Sequence, residues 1–384
     1  MKTASRTART TAALACLVLA ACGSAPAGST ARPAAPPAPP LATSFASAAS
    51  DWAIVDMGGS AAQENNFWQL FVRSAATAPW RQATPLGVAD NGGLSVASPG
   101  GGSLLTGFQP SQELSFSPVA ASSDNGQNWS PMEPVNPGLA SLPDALAAAP
   151  GGRVLALTDG GGAQAGTGLG SVWTRLASVK TLAATGPGRA CGLTSLTAAA
   201  FSDSGAPLLA GNCDRPGIAG IFADSSGTWN AAGPAIPASL ARETISVVRL
   251  ATTSTGLVAL LQAGTGPDAS LVAAFSPAAG GQWTLSAPLR IGSRQLLSTT
   301  VGPGFSIGVI LNGGSGVTLA GPGTSWQRLP ALPRWAATLA LGPSGVVDAV
   351  AVHASTFSDW RLGSAGGWHL AQTIQVTIPY GSSS

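Results

Sequence analysis

Tryptophan recurs along this chain at a nearly fixed interval, and that interval limits the folds available to it. Trp80, Trp129, Trp173, Trp229, Trp283, Trp326 and Trp368 stand 49, 44, 56, 54, 43 and 42 residues apart. Glycine travels with them, three positions earlier at Gly126, Gly170, Gly280 and Gly323 and two positions earlier at Gly227 and Gly366. An internal period of about 40–50 residues marks the blades of a radially repeated sheet protein. Composition agrees: 50 Gly and 30 Pro punctuate short Val, Leu, Ala, Ser and Thr runs, and only 9% of residues are charged. No segment sustains a helical period, although Ala238–Glu243 has room for one turn. The expectation is an all-β chain forming a seven-bladed β-propeller of four-stranded antiparallel blades. The competing reading is one or two β-sandwiches in which Trp-containing hairpins recur by chance.

The fullest copy of the repeat is Ser122-Ser123-Asp124-Asn125-Gly126-Gln127-Asn128-Trp129. An Asp heading a turn accepts hydrogen bonds from backbone N–H groups a few residues on. Gly126 supplies a positive φ that a Cβ resists. Trp129 pins the hairpin by burying its ring, and its indole N–H then needs an acceptor. The pattern Ser122, Asp124, Gly126, Trp129 resembles the Asp box of BNR-like propellers, with Asn128 where Thr is usual. Asp224 fills the Asp position of the fourth copy and Ser276 the Ser position of the fifth. The resemblance implies the propeller fold; its members include sialidases, xyloglucanases, sorting receptors and photosystem assembly factors, so it implies no single activity.

From the N-terminus, Lys2, Arg6 and Arg9 precede the apolar run Thr11–Ala21, the order of a secretory signal. The run is too short for a spanning helix. Leu19-Ala20-Ala21-Cys22 resembles the bacterial lipobox, which implies cleavage before Cys22 and a diacylglycerol on its sulfur. Residues 1–21 are then a lipoprotein signal peptide, and 22–50, with the cluster Pro36–Pro40, a disordered Pro/Ala-rich tether. Residues 51–380 hold the propeller. The expected location is the outer face of a bacterial cell membrane, reached through the lipid anchor alone.

Blades can be sketched from their strands. The fifth reads as Ile245–Ala251, Leu257–Gln262, Ser270–Phe275 and Gln282–Leu285. The sixth reads as Leu297–Val301, Ser306–Leu311, Val317–Ala320 and Ser325–Leu329. The second is Leu94–Ala97, Leu104–Phe108, Ser115–Ala121 and Trp129–Met132. The C-terminal stretch Thr373-Ile374-Gln375-Val376-Thr377-Ile378-Pro379 alternates as a half-buried strand does. It is expected to supply the innermost strand of the first blade and so close the ring. Cys191 and Cys213 flank a hairpin turning at Ser202-Asp203-Ser204-Gly205, which sets them nearly opposite each other; outside the cell they read as a disulfide.

Chemistry is sparse. Once Lys2, Arg6 and Arg9 leave with the signal peptide, 15 basic residues face 16 acidic ones. That balance argues against nucleic acid as a partner. His353 and His369 are expected on different strands of the last blade, and neither metal nor cofactor is called for. Gly160–Gly170 contains G-x-G-x-G without a strand-to-helix pattern and reads as a loop. Sialidases use a Tyr nucleophile with a Glu, an Asp acid/base and an arginine triad. This chain has one Tyr, Tyr380, and lacks the F/Y-R-I-P motif. Glu64, Glu113, Asp214 and Asp268 are the acids a two-carboxylate glycosidase would draw on, but nothing pairs them. No catalytic residue is nominated and no enzyme is expected.

The expected role is a monomeric binding or scaffolding module for a protein or glycan partner. The alternatives are a glycan-active hydrolase and an envelope-complex assembly factor. The loops leading from one blade's outer strand to the next blade's inner strand carry Lys180, Arg189, Arg242, Arg290, Arg294 and Arg334, the candidate binding face. Glu64, Asn65, Asn66, Gln112, Glu113, Asp214 and Arg215 are expected on the same face, in the loops between second and third strands. Arg81 and Arg175 fall on outer strands.

Overall fold

The computed structural model describes residues 42–46, 50–57, 67–85, 94–108, 118–130, 143–158, 161–168, 172–277 and 282–376. They form seven small antiparallel sheets arranged as the blades of a propeller. The first blade contains β1 (Ala42–Ala46), β2 (Asp51–Met57), β3 (Phe67–Arg73) and β4 (Arg81–Gln82). The second has β5 (Leu94–Gly100), β6 (Ser103–Phe108) and β7 (Val119–Ser122). The third has β8 (Pro143–Ala149), β9 (Arg153–Thr158), β10 (Gly162–Thr167) and β11 (Val172–Ser178). Helices α1 (Val179–Ala183) and α2 (Gly186–Cys191) lead into the fourth blade, β12 (Leu193–Phe201), β13 (Pro207–Cys213), β14 (Gly220–Ser225) and β15 (Thr228–Ala231). The fifth has β16 (Ile245–Thr253), β17 (Gly256–Ala263), β18 (Ser270–Ser276) and β19 (Thr284–Leu285), with β20 (Leu289–Arg290) also on β18. The sixth is β21 (Leu296–Val301), β22 (Ile307–Leu311), β23 (Ser315–Leu319) and β24 (Gln327–Arg328). The seventh is β25 (Ala336–Leu341), β26 (Val347–His353), β27 (Thr356–Leu362) and β28 (Trp368–Gln375).

The residue pattern of each strand follows from its place in the blade. Middle strands are covered on both faces by neighbouring blades, so they read as unbroken apolar runs rather than alternations. Every residue of β18, Ser-Leu-Val-Ala-Ala-Phe-Ser, is buried. Outer strands are short or half-exposed: β4, β19 and β24 span two residues each. Near the axis, Ser and Thr replace bulk and link consecutive inner strands. Thr197 Oγ1 donates to the Val247 carbonyl at 2.7 Å, Ser298 to Thr338 Oγ1 at 2.7 Å and Thr300 to the Leu339 carbonyl at 2.6 Å.

The recurrent tryptophans staple blade to blade. Trp129 Nε1 donates to the Ala83 carbonyl at 2.8 Å, Trp283 to Ala232 at 2.8 Å and Trp326 to Ala287 at 3.0 Å. Each acceptor lies just past the outer strand of the preceding blade. The half-buried ring and its one polar atom are satisfied together.

Three expectations are corrected. The ring is not closed by the C-terminal strand: β28 pairs with β27 as the outer strand of the seventh blade, with Ile374 opposite Phe357. The innermost strand of the first blade is instead β1, antiparallel to β2 (Ser44 opposite Ala53) and parallel to β21 (Thr43 opposite Thr299). Alternation marks a half-buried strand without saying whether it lies at the hub or the rim. By the same finding, residues 42–46 belong to a strand although composition assigns them to the tether. Finally, Gly162–Thr167 within the supposed loop is β10, paired on both sides. Glycine there permits close packing, because a Cβ on Gly166 would lie 2.7 Å from Val154 Cγ2 and 2.9 Å from Trp173 Cε3.

The two helices were also missed. Ser178 caps α1 in a capping box with Thr181, and Thr185 caps α2, which ends at Gly192 in the left-handed conformation. The signal was present as capping residues rather than as periodicity. Residues 1–41, including the expected signal peptide, Cys22 and most of the expected tether, and residues 377–384, including Tyr380, lie outside the described residues, as do Glu64–Asn66 and Gln112–Glu113.

Candidate functional site

The basic side chains nominated from sequence all fall in connections from an outer strand to the next inner strand. Lys180 lies on α1 and Arg189 on α2, between β11 and β12; Arg242 precedes β16; Arg290 is in β20 and Arg294 follows it; Arg334 precedes β25. The connections therefore share one face of the ring. The groups differ in what they already hold. Arg290 pairs with Asp268 at 2.7 Å, an exposed contact worth little to stability. Arg294 Nε donates to the Ile291 carbonyl at 2.9 Å, and Arg189 donates to the Ala184 carbonyl. Lys180, Arg242 and Arg334 donate to no acceptor among the described residues. Asp214 and Arg215 sit exposed between β13 and β14 on the same face.

Arg334 has a distinctive setting. Its Cζ lies 4.1 Å from the ring centroid of Trp335, while His353 stacks on Trp335 with centroids 3.8 Å apart and planes 13° apart. The indole therefore carries both a guanidinium and an imidazole packed against it. Trp335 adopts φ 61°, a left-handed conformation uncommon for a bulky residue, yet it is 47% exposed. Sequence reading picked out Arg334 and His353 separately. It missed Trp335, which lies outside the regular series.

The Ser122–Trp129 turn is built as its residue types require. Asp124 Oδ1 accepts from the backbone N–H of Gln127 at 3.0 Å and of Asn128 at 2.8 Å, and Oδ2 accepts from the Asn128 side chain at 2.6 Å. Those donors hold its carboxyl down at about 2, backbone and side-chain bonds from Asn128 being the main cause. Gly126 has φ 72°, and an added Cβ would meet Ala83 Cβ and Trp129 Cζ2 at 3.1 Å. Arg81 of the preceding blade donates to the Asn125 and Gly126 carbonyls. The related turn in the fourth blade keeps one of these bonds, Gly227 N–H to Asp224 Oδ1 at 2.8 Å. The Asp124 carboxylate is thus engaged by the turn's own bonds.

Cys191 and Cys213 form a disulfide with Cα atoms 5.2 Å apart. It ties the end of α2 to the end of β13, at the root of two of the basic loops. The predicted hairpin is present, with Leu193 rather than Cys191 opposite Cys213 in the ladder.

The densest charge cluster is buried where the seventh blade meets the first. Arg73 bonds Asp51 through Nε and Asp348 through Nη1, both at 2.5 Å, and Arg361 grips Asp348 at 2.8 and 3.0 Å. Arg73 also lies 4.5 Å from the Trp80 ring centroid, Phe71 stacks on Phe357 at 4.0 Å, and the Gln372 amide bonds both backbone groups of Trp80. Burial raises Asp51, and it raises Asp359 to about 6 with the Asp348 charge adding to the effect. These groups face packed side chains rather than a cleft, which makes them a clamp. A further cation, Arg249 on the innermost strand β16, is pushed down to about 10 by burial and lies 5.9 Å from the Trp52 ring centroid.

Among the described residues no group of three or more His, Cys, Asp or Glu is placed to hold a metal ion, and no helix is long and apolar enough to cross a membrane. Asp214 lies in the fourth blade and Asp268 in the fifth, the latter engaged by Arg290. No protein-family model matches the chain, and no curated protein sequence matches it. Solved structures do. A protein from Lactobacillus plantarum aligns with TM-score 0.55 and 11% identity over 86% of this chain and 97% of its own. A candidate 6-phosphogluconolactonase from Bacteroides uniformis aligns with TM-score 0.50 and 14% identity over 84% and 96%. YCF48 from Cyanidioschyzon merolae aligns with TM-score 0.49 and 16% identity over 80% and 91%. At such identities the likeness speaks for the fold alone.

Proposed function

We propose that this chain is an exported, lipid-anchored β-propeller that binds a protein or glycan partner on the face bearing the outer-to-inner connections. The observation that carries the reading is the gathering there of exposed basic side chains from blades three to seven in a molecule with nearly balanced charge. Arginine grips carboxylate or phosphate through two parallel N–H groups, so the face suits an anionic surface on its partner. The disulfide and the two capped helices stiffen one such connection and hold Lys180 and Arg189 on ordered backbone.

The test is recovery of partners from detergent-solubilised envelopes. Arg242→Glu, Arg290→Glu and Arg294→Glu together should abolish recovery while leaving the melting temperature within a degree or two. Arg175→Glu with Arg328→Glu, on outer strands, should leave recovery intact. Arg81 is unsuited as a control because it holds two carbonyls of the neighbouring turn. Equal loss from both sets, or none from either, would reduce the arginines to surface charge. Turnover of a chromogenic glycoside that vanishes with one acidic substitution would replace the binding reading with a hydrolase. For the anchor, Cys22→Ser should move the protein out of the detergent phase.

A further inference from the structure

A cavity of about 420 Å³ lies on the side of the seventh blade that packs against the sixth, beneath the connection from β24 to β25. In three other seams the repeat Trp donates its indole N–H to a carbonyl just past the preceding outer strand. Trp368, like Trp173, does not: its buried Nε1 donates to no acceptor among the described residues. Its ring lines the cavity together with Trp360, and Ala331 of the inter-blade connection lines the opposite side. On β27, Thr356, Ser358 and Trp360 alternate onto the cavity side, whereas Phe357, Asp359 and Arg361 face the first blade. At the loop-face end the lining is completed by the Arg334–Trp335–His353 stack.

We infer that this seam is a saccharide site that takes a carboxylated pyranose. Its volume falls in the range of about 300–1,000 Å³ usual for small-ligand pockets. Flat indole walls suit the C–H face of a sugar ring, which is apolar and planar enough to lie against them. Around those walls stand groups that hydrogen-bond to no protein acceptor among the described residues: the Arg334 guanidinium, the His353 imidazole and the Ser358 hydroxyl. A purely aliphatic ligand would strand all three, at the cost that attends unpaired polar groups on desolvation. An aromatic acid would use Arg334 and the walls but leave Ser358 and His353 unused. A sugar acid satisfies every one, its carboxylate on the guanidinium fork and its ring hydroxyls on Ser358 and His353. Stacking on Trp335 holds that fork in one plane before the ligand arrives, which favours two-point recognition.

The inference deepens the binding reading at one edge of the same face, so its test is separate from partner recovery. The mature chain is titrated with a glucuronosyl-glucose disaccharide, with neutral cellobiose and with benzoate, followed by tryptophan fluorescence and calorimetry. The uronic acid should saturate, with cellobiose about tenfold weaker or more, as the loss of one charge-assisted hydrogen bond implies. Arg334→Ala should bring the two sugars to the same weak affinity without altering the melting temperature, and Ser358→Ala should weaken both. Equal binding of the two sugars, benzoate matching the uronic acid, uronic acid binding that survives Arg334→Ala, or no saturation by either sugar would each overturn the assignment. Because these titrations use no partner, loss of recovery in the Arg242, Arg290 and Arg294 variants leaves their outcome unaffected.

Discussion

The seam between the fourth and fifth blades and the seam between the seventh and the first solve one packing problem with opposite chemistries. The former is an apolar cluster of alanines, leucines, valines and isoleucines, closed by the Trp283 staple. Its two blades are joined by a short connection, so their local concentration is high and ordinary burial suffices. The latter joins elements some 275 residues apart. There Arg73 bridges Asp51 of its own blade and Asp348 of the last, beneath stacked aromatic rings. A buried ion pair seldom beats an apolar contact in net free energy, but removing one member is costly because the others stay buried and unpaired. The difference teaches that the seam lacking a direct chain connection is the one given a buried network of charged hydrogen bonds, which favours a single register.

The sharpest way to break this contrast is Arg73→Met, which strands the buried Asp51 carboxylate and leaves Asp348 to Arg361 alone. It should cost about 3–5 kcal/mol, read as a large drop in denaturation midpoint or loss of soluble protein. A change under about 1 kcal/mol would mean that the cluster is water-accessible and the contrast false. Next comes the disulfide, the covalent counterpart of the clamp. Cys191→Ala with Cys213→Ala frees a loop of 22 residues and should cost about 3 kcal/mol on the chain-entropy account, by urea titration. Unchanged stability would remove the fourth blade from the list of reinforced places.

Smaller in effect, Trp283→Phe deletes the staple and leaves the Ala232 carbonyl without its donor. A loss of about 1–3 kcal/mol beyond that of Trp368→Phe is expected, since Trp368 makes no such bond among the described residues. Equal losses would show that the staples act by ring volume alone. The smallest effect concerns pH. Burial lifts Asp359 from 3.8 to about 6, so the folded chain binds more protons than the unfolded one between those values. Stability drawn from this group is therefore lost as pH rises through that window. Asp359→Asn should flatten the decline in melting temperature between those two values, and an unaltered slope would assign the decline elsewhere.

Much of this architecture was legible in the sequence, for identifiable reasons. The Trp spacing and the apolar runs place the blades, because a repeated unit must repeat its core positions. The strands of the fifth and sixth blades fall within a few residues of expectation, and the cysteines join as their hairpin suggests. Closure was not legible, because the alternation of the C-terminal stretch fits an inner strand as well as an outer one, and Ala42–Ala46 offers only Thr43 and Phe45 as strand formers beside a Pro/Ala-rich stretch. The clamp left a trace that went unused. Arg73 ends Phe-Trp-Gln-Leu-Phe-Val-Arg and Asp348 interrupts Val-Val-Asp-Ala-Val, each a lone charge in a run buried on both faces, where it must have a partner. The seam cavity left none, since Trp335 and Trp360 fall outside the regular series and their convergence is a property of the folded ring.

The staples also run in one direction. Trp129, Trp283 and Trp326 each reach back to the blade completed before them. A chain emerging from its N-terminus can therefore add blades in sequence, with the second, fifth and sixth each gripping a finished neighbour. Only the first blade must wait. Asp51 and Arg73 come out early, and Asp348 follows 275 residues after Arg73, an interval on the order of tens of seconds at cellular rates of synthesis. Through that interval the nascent arc presents Phe71, Val55 and an incompletely paired arginine on an open flank, the surface on which two incomplete arcs would meet and exchange blades. The last blade acts as a lock as well as a seventh part, and its timing sets how long the unfinished protein is vulnerable.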